Sequence, residues 1–322
     1  MPVAQIDATQ VRELLPVKDC IQSVREAMIA FSKDNVHVPL RSTIPIEEGK
    51  SMLSMPGACK ELGFYGVKLI SLHADNARKG LPTIQGVIIL FDYESGEPKA
   101  MIDGTSVTGL RTAAASALAT QILARPEAKT LGIFGAGLQA ETHVDAITAV
   151  RPIESVLIWA RNHDAAVTFA EQQSKRTGLS VKAVADPADA AVSDIICTVT
   201  AASEPVLKSE WVQPGTHINL VGSHSLSARE ADTALIVNSR LYVDSLASTT
   251  AEAGDIMIPV QEGAIDMGHI VGEIGQVASD DLAGRLDDKQ ITLYKSLGIT
   301  AQDLFSAAFV YRRFLSLNSH SD

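Results

Sequence analysis

The chain has 322 residues, 46% of them hydrophobic, and a formal net charge of -11; that is long for one ordinary domain and rich enough in apolar residues for two cores. The acidic balance argues against nucleic acid as a partner, because a phosphate backbone calls for a basic footprint. Cys20, Cys59 and Cys197 lie far apart, and the histidines show no ligand spacing, so neither a disulfide framework nor a metal site is expected. At the N-terminus, MPVAQIDATQ lacks the basic and apolar regions of a signal peptide, and no apolar run is long enough to span a bilayer. The expectation is a soluble, cytoplasmic protein.

Asp7 to Val11 opens a short helix. Pro16 suits the first turn of a longer one, in which Ile21, Val24, Met28 and Phe31 recur at helical spacing. Val38 to Pro45 is extended, since two prolines exclude helix there. Residues 51–56 read as a strand ended by Pro56 and Gly57. Gly66 to Leu72 and Ile84 to Asp92 are strands, and the turn Glu94 to Glu97 returns the chain into Lys99 to Asp103. The first hundred residues are therefore expected to be α+β with antiparallel strands. An Ala-rich helix, with Thr105 or Ser106 as its cap, runs to about Ala124 and stops before Pro126. After the strand Leu131 to Phe134, strands alternate with helical segments. They are Ser155 to Trp159, Ser180 to Val184, Asp194 to Val199, His217 to Val221, and a sixth made from Ile236–Val237 and Leu241 to Asp244. A helix from Asp164 to Lys175 falls among them. This alternation implies right-handed crossovers and a parallel sheet. The helix Gln302 to Phe314 places Leu304, Ala307, Ala308 and Tyr311 on one face and returns to the first domain; the tail from Ser316 reads as frayed. The fold class is α/β: a Rossmann-type parallel-sheet domain over 113–289, and an α+β domain from both chain ends, 1–112 with 290–322.

The stretch Gly135-Ala136-Gly137-Leu138-Gln139-Ala140 follows an apolar strand and opens a helix, which is the G-x-G-x-x-A form of the dinucleotide fingerprint. Gly135 permits the tight turn, Gly137 lets backbone amides approach a pyrophosphate, and Ala140 lets the helix pack on the strand. The helix N-terminus offers unpaired N–H groups to the phosphates. A merely structural glycine turn is the bland alternative, and the flanking strand and helix weigh against it. At the end of the second strand the chain reads Trp159-Ala160-Arg161-Asn162. The acid that would hold a ribose 2′-OH is missing, and Arg161 could pair with a 2′-phosphate, so NADP(H) is favoured with NAD(H) possible. An Arg161 that only stacks on adenine, or does nothing, is the alternative.

Lys68 sits within the apolar strand, on the face of Ile70 and Leu72, and Arg111 lies in line with Ala114, Ala115 and Leu118. Burying an unpaired cation costs several kcal/mol, so each needs an anion. Arg41, in an extended segment between prolines, is a third such residue. One reading pairs Lys68 or Arg111 with Asp75, Asp92 or Asp103 as an internal salt bridge. The other is a pocket for a small carboxylate.

The segment from Gly66 to Ala119, with Gly109-Leu110-Arg111-Thr112, then the fingerprint, then the closing Gly298 to Leu304, resembles the ornithine cyclodeaminase/mu-crystallin family over essentially the full chain. The resemblance implies a central Rossmann domain and a dimerising α+β domain, hence a homodimer. It implies that Arg41, Lys68 and Arg111 hold a substrate carboxylate in a site shared with Leu53 and Met55. It also implies that Thr112 lies near the nicotinamide or its phosphates. The cofactor set it suggests is Thr112, Gly135, Ala136, Gly137, Leu138, Gln139, Arg161, Thr198, Val221 and Gly222. Deaminating members carry an Asp where this chain has His224, and cyclodeaminases carry a Glu where it has Leu53. Loss of both carboxylates disfavours ornithine cyclisation, because a diamino acid needs an anionic partner and an amine to be deprotonated. The expected activity is NAD(P)H-dependent reduction of a cyclic imino acid, Δ1-pyrroline-2-carboxylate or its six-membered piperideine analogue. Lys68 and His224 are the candidate catalytic groups, though His224 reads equally well as a loop histidine contacting ribose. An alanine or opine-type dehydrogenase and a non-enzymatic NADP-dependent binding protein remain the alternatives.

Overall fold

The structure, a computed structural model, describes residues 3–318, apart from the side chains at 77 and 78. The chain divides into two compact units, residues 1–111 with 298–322 and residues 112–297. In the first unit β1 (Ala4–Ile6) precedes α1 (Ala8–Leu14) and α2 (Val17–Ser32). There follow β2 (Ser42–Glu47), β3 (Lys50–Cys59), β4 (Phe64–His73), β5 (Ile84–Asp92) and β6 (Pro98–Asp103). Asp7 caps α1 through the N–H groups of Thr9 and Gln10, as its short polar side chain favours. The sheet order is β1-β6-β5-β4-β3-β2. Its pairings are antiparallel except β1 with β6, and that short parallel strand lay outside the sequence expectation.

β3 does not stop at Pro56. Its pairing with β4 runs on through Pro56↔Val67 and Gly57↔Gly66. Ala58 exchanges both backbone hydrogen bonds with His37, on the side away from β4, and the Pro56 nitrogen, two residues earlier, points the same way. β2 has already ended at the Ser42↔Ser54 pair, so the missing N–H removes no ladder bond.

α3 (Gly104–Leu123) is capped by Asp103, whose Oδ1 accepts from Ser106 N at 2.7 Å, and not by Thr105 or Ser106. Thr105 instead accepts from Gly86 N at 3.2 Å. The terminal helix lies with α2, β3, β4 and β5. With five short helices of the second unit, α6 (Pro187–Ala191), α7 (Thr233–Val237), α8 (Leu246–Glu252), α9 (Gly254–Gln261) and α10 (Ile274–Ala278), it completes the helix count as α11 (Thr300–Asn318). Leu304, Ala307, Ala308 and Tyr311 are all buried. The tail expected to fray from Ser316 is helical to Asn318; residues 319–322 lie outside the described part.

The second unit is built on β7 (Thr130–Phe134), β8 (Ser155–Trp159), β9 (Ser180–Ala183), β10 (Ile195–Thr198), β11 (His217–Leu220), β12 (Arg240–Val243), β13 (Ile270–Glu273) and β14 (Thr292–Lys295). All pair in parallel, in the order β13-β12-β14-β11-β10-β7-β8-β9. β7 is followed by α4 (Leu138–Thr148), and β8 by α5 (His163–Thr177). The strand order reverses between β7 and β10, the position where open α/β sheets bind ligands. Phe134, Ile196, Ile218, Leu220, Leu241, Val243 and Leu293 form the core on this sheet.

Ile236 and Val237 belong to α7 rather than to a sixth strand; Asp232 caps that helix by accepting from Leu235 N. β13 and β14 were not expected. Each has four residues, too short to display a period, and β14 carries Thr292 and Lys295 although wholly buried. Because β14 inserts between β11 and β12, the second unit continues to Leu297 rather than ending at 289.

Candidate functional site

In the first unit the buried face of the sheet carries a cross-strand row Met55, Lys68, Ile88 and Ile102. Lys68 is 1% exposed in that apolar row. Its Nζ lies 2.6 Å from Asp303 Oδ2, and Arg111 Nε donates to Asp303 Oδ1 at 2.9 Å. Arg111 also donates to Gln302 Oε1 at 3.0 Å, and Arg41 to the Gly298 carbonyl at 3.1 Å. Gly298 takes a φ of 77°, and a Cβ there would collide with the Arg111 guanidinium, so glycine is needed on both counts. The three cations named from the sequence thus converge. The internal partner of Lys68 and Arg111 is Asp303, not Asp75, Asp92 or Asp103; Asp92 binds the Ser95 turn, and Asp103 caps α3.

One carboxylate does not neutralise this group: Lys68 and Arg111 both lean on Asp303. Lys68 Nζ pairs with Asp303 and has no other hydrogen-bond partner among the described residues, which leaves ammonium N–H bonds still to be given. Burial first, then Arg111, and more weakly Arg41, push Lys68 down to about 7 from its usual 10.5, against the pull of Asp303. Burial acts to raise Asp303, but Arg111 and Lys68 outweigh it and hold the carboxyl below its usual range. Such a group attracts a second anion, and a small carboxylate matches the forked guanidinium and the ammonium. Leu53 is half-buried on the same face of β3 as Met55, which is 2% exposed; the cluster's surroundings are apolar.

In the second unit the fingerprint forms the tight turn from β7 into α4. Gly135 has a φ of 128°, its N–H donates to the Trp159 carbonyl at 2.8 Å, and a Cβ would lie 2.9 Å from the Val199 carbonyl. Gly137 differs. It is the extended N-cap of α4, no side chain caps that helix, and a Cβ on it would meet nothing within 4 Å. The α4 N-terminus is therefore open to an anion, as the dinucleotide reading requires. Ala140 is fully buried, Ala136 and Gln139 are half-buried, and Leu138 is exposed. Beneath, His143 Nδ1 donates to the Gln139 carbonyl at 2.7 Å, and Nε2 accepts from Ser116 at 2.9 Å. Burial pushes His143 down to about 4, so it stays neutral.

Arg161 is exposed after β8, and Asn162 is spent capping α5 through Ala165 N. Thr112 is buried on α3. The hydroxyl of Thr198 and the N–H of Gly222 are both directed to Glu230, while Val221 N–H donates to the Thr198 carbonyl. His224 is exposed in the loop after β11. The sequence reading missed Asp303 and Glu230. Neither stood out: Asp303 lies between Gln302 and Leu304, with Thr300 a turn before it and Ser306 a turn after.

Comparison with known proteins places the chain in a family. The sequence pattern of the ornithine cyclodeaminase/mu-crystallin family matches residues 4–318. The Delta(1)-pyrroline-2-carboxylate reductase of Bacillus cereus is 36% identical over 313 residues, covering 96% of each chain. The structure of Thermococcus litoralis Delta(1)-pyrroline-2-carboxylate reductase in complex with NADH and L-proline superposes with a TM-score of 0.95 at 38% identity, covering 98% of each chain. An archaeal alanine dehydrogenase dimer with bound NAD gives a TM-score of 0.93 at 30% identity, covering 99% of this chain and 98% of that one. The chain belongs to the ornithine cyclodeaminase/mu-crystallin family.

Proposed function

From that membership we propose that the protein reduces a cyclic imino acid, Δ1-pyrroline-2-carboxylate to L-proline, with Δ1-piperideine-2-carboxylate to L-pipecolate as the second ring size. The observation that carries this reading is the buried pair of cations Lys68 and Arg111 sharing the one carboxylate of Asp303, with Arg41 beside them on the Gly298 carbonyl. These side chains take the substrate carboxylate and orient the ring. A bound NADPH or NADH supplies hydride to the imine carbon. The ring nitrogen arrives protonated and becomes the secondary amine, so the protein's share is orientation. Where the imine arrives neutral, Lys68, poised near 7, or His224 is the proton source. An apolar Leu53 suits a ring without a second amine. Arg161, with no acid at the end of β8, supports NADP(H) alongside NAD(H).

A homodimer accords with the open face of the first-unit sheet. Tyr65, Val67, Leu69, Val87, Ile89, Phe91 and Met101 stand there half-buried or exposed, and Tyr65 stacks on Phe91 at 5.1 Å. A contiguous apolar face of this kind calls for a covering partner.

The test is oxidation of NADPH and of NADH by the purified protein with pyrroline-2-carboxylate, piperideine-2-carboxylate and pyruvate. Turnover of an imine without added amine is the expected result. Turnover only of pyruvate with ammonia would replace this reading with an alanine-dehydrogenase activity. Dinucleotide binding with no oxidation across the panel would leave a binding protein.

A further inference from the structure

Glu230 is fully buried in the second unit and belongs to neither of the sites above. Its carboxylate receives five hydrogen bonds: Oε2 from Thr198 Oγ1 at 2.8 Å, Gly222 N at 2.7 Å and Ser223 N at 3.3 Å, and Oε1 from Thr200 N at 2.8 Å and Thr200 Oγ1 at 2.7 Å. The donors come from two segments, the one leaving β10 and the one leaving β11. Asp255 lies beneath. Its Oδ1 accepts from Glu230 N at 2.6 Å and Ala231 N at 3.2 Å, and its Oδ2 pairs with Lys295 Nζ at 2.8 Å. Lys295 in turn donates to the Ser223 carbonyl at 2.6 Å. Asp255 and Lys295 are also 0% exposed. A Cβ on Gly222 would collide with the Thr200 carbonyl, so the two segments touch where Glu230 ties them.

A carboxylate that uses all its acceptor directions on two loops fixes those loops more tightly than packing alone, because moving either strands a buried charge. Where the two loops sit gives this a purpose. A dinucleotide crosses the C-terminal strand ends at the point where the order reverses, here between β7 and β10. The fingerprint and the end of β8 serve the pyrophosphate and the adenine ribose, so the other half of the ligand falls on the ends of β10 and β11. Those are the ends that Glu230 holds.

We propose that Glu230, supported by Asp255 and Lys295, is a positioning residue for the nicotinamide half of the dinucleotide site. It fixes Thr198–Thr200 and Gly222–His224 as the surface against which the ring and its ribose lie, and none of its five hydrogen bonds goes to the fingerprint. This inference rests on the dinucleotide reading given above, and the two fail differently.

The experiment is titration of the full-length protein, and of its Glu230→Gln, Thr198→Val and Thr200→Val variants, with NADH and with ADP-ribose, which lacks the nicotinamide. Glutamine keeps the volume but turns an amide NH2 toward groups that themselves donate. Glu230→Gln is expected to raise the NADH Kd at least about fivefold, the worth of one hydrogen bond, while the ADP-ribose Kd stays within about twofold. The threonine variants should move NADH alone, in the same direction and by less, and they decide the matter if Glu230→Gln does not fold. Equal weakening of both ligands, or of neither, would overturn the proposal. Failure of the unmodified protein to bind either ligand would instead remove the dinucleotide reading beneath it.

Discussion

Two buried ionic clusters, one in each unit, are built to opposite rules. Around Glu230 every oxygen is occupied: five donors reach one carboxylate, and Lys295 is shared between Asp255 and a carbonyl. Around Asp303 the cations outnumber the anion, and Lys68 Nζ lies buried with hydrogen-bonding capacity unspent. Burial is tolerated around Glu230 because five neutral donors hold it and Lys295 pairs with Asp255, and around Asp303 because the carboxylate offsets its cations. Only the second leaves ammonium N–H bonds for something else to complete. A saturated cluster is scaffold, and a short-handed one is a receptor.

Breaking the counter-ion of the receptor cluster has the largest expected effect. Asp303→Ala leaves Lys68 and Arg111 buried without an anion, which costs about 3–5 kcal/mol and should lower Tm sharply in thermal denaturation; an unchanged Tm would show that the cations find water instead. Removing one receptor group comes next. Arg111→Ala deletes a charge-assisted contact of about 1.5–3 kcal/mol, so kcat/KM for the imine should fall about tenfold to a hundredfold. A change within about threefold, roughly 0.65 kcal/mol, contradicts its place in the clamp. Gly137→Val follows. Its Cβ meets open space in the protein, so Tm should hold while dinucleotide Kd rises about tenfold, a loss of about 1.4 kcal/mol; equal binding would mean that no phosphate approaches there.

The smallest effect is the pH dependence, and it separates binding from stability. The anion-binding form of Lys68 is the protonated one, so kcat/KM should be level below about 7 and decline above it. Stability moves the other way: the unfolded lysine holds its proton up to 10.5 and the native one only to about 7. Across that window the unfolded state binds more protons, and the contribution of Lys68 to stability rises with pH. A flat kcat/KM profile from pH 6 to 9 would remove Lys68 from the site.

Local patterns in the sequence carried much of this. The fingerprint is a contiguous string with a strand before it and a helix after it, so its geometry follows from its own residues. Lys68 and Arg111 were legible because a cation is conspicuous among apolar neighbours of fixed period. Their partner was not, since Asp303 stands far along the chain in a helix where one acid draws no notice. Glu230 was hidden for a stronger reason: its donors are mostly backbone N–H groups and threonines from two separate loops, which no spacing encodes. β13 and β14 are too short to show a period, and Pro56 reads as a stop unless the empty side of β3 is known.

The most direct test of the receptor cluster deletes the charge from the ligand instead of the protein. The measurement is kcat/KM for Δ1-pyrroline-2-carboxylate against 2-methyl-1-pyrroline, the same imine ring with a methyl group in place of the acid. Loss of two charge-assisted contacts predicts a preference of about a hundredfold or more for the acid, shrinking in Arg111→Ala. Comparable reduction of the two rings would contradict the claim that Arg41, Lys68 and Arg111 exist to hold a carboxylate.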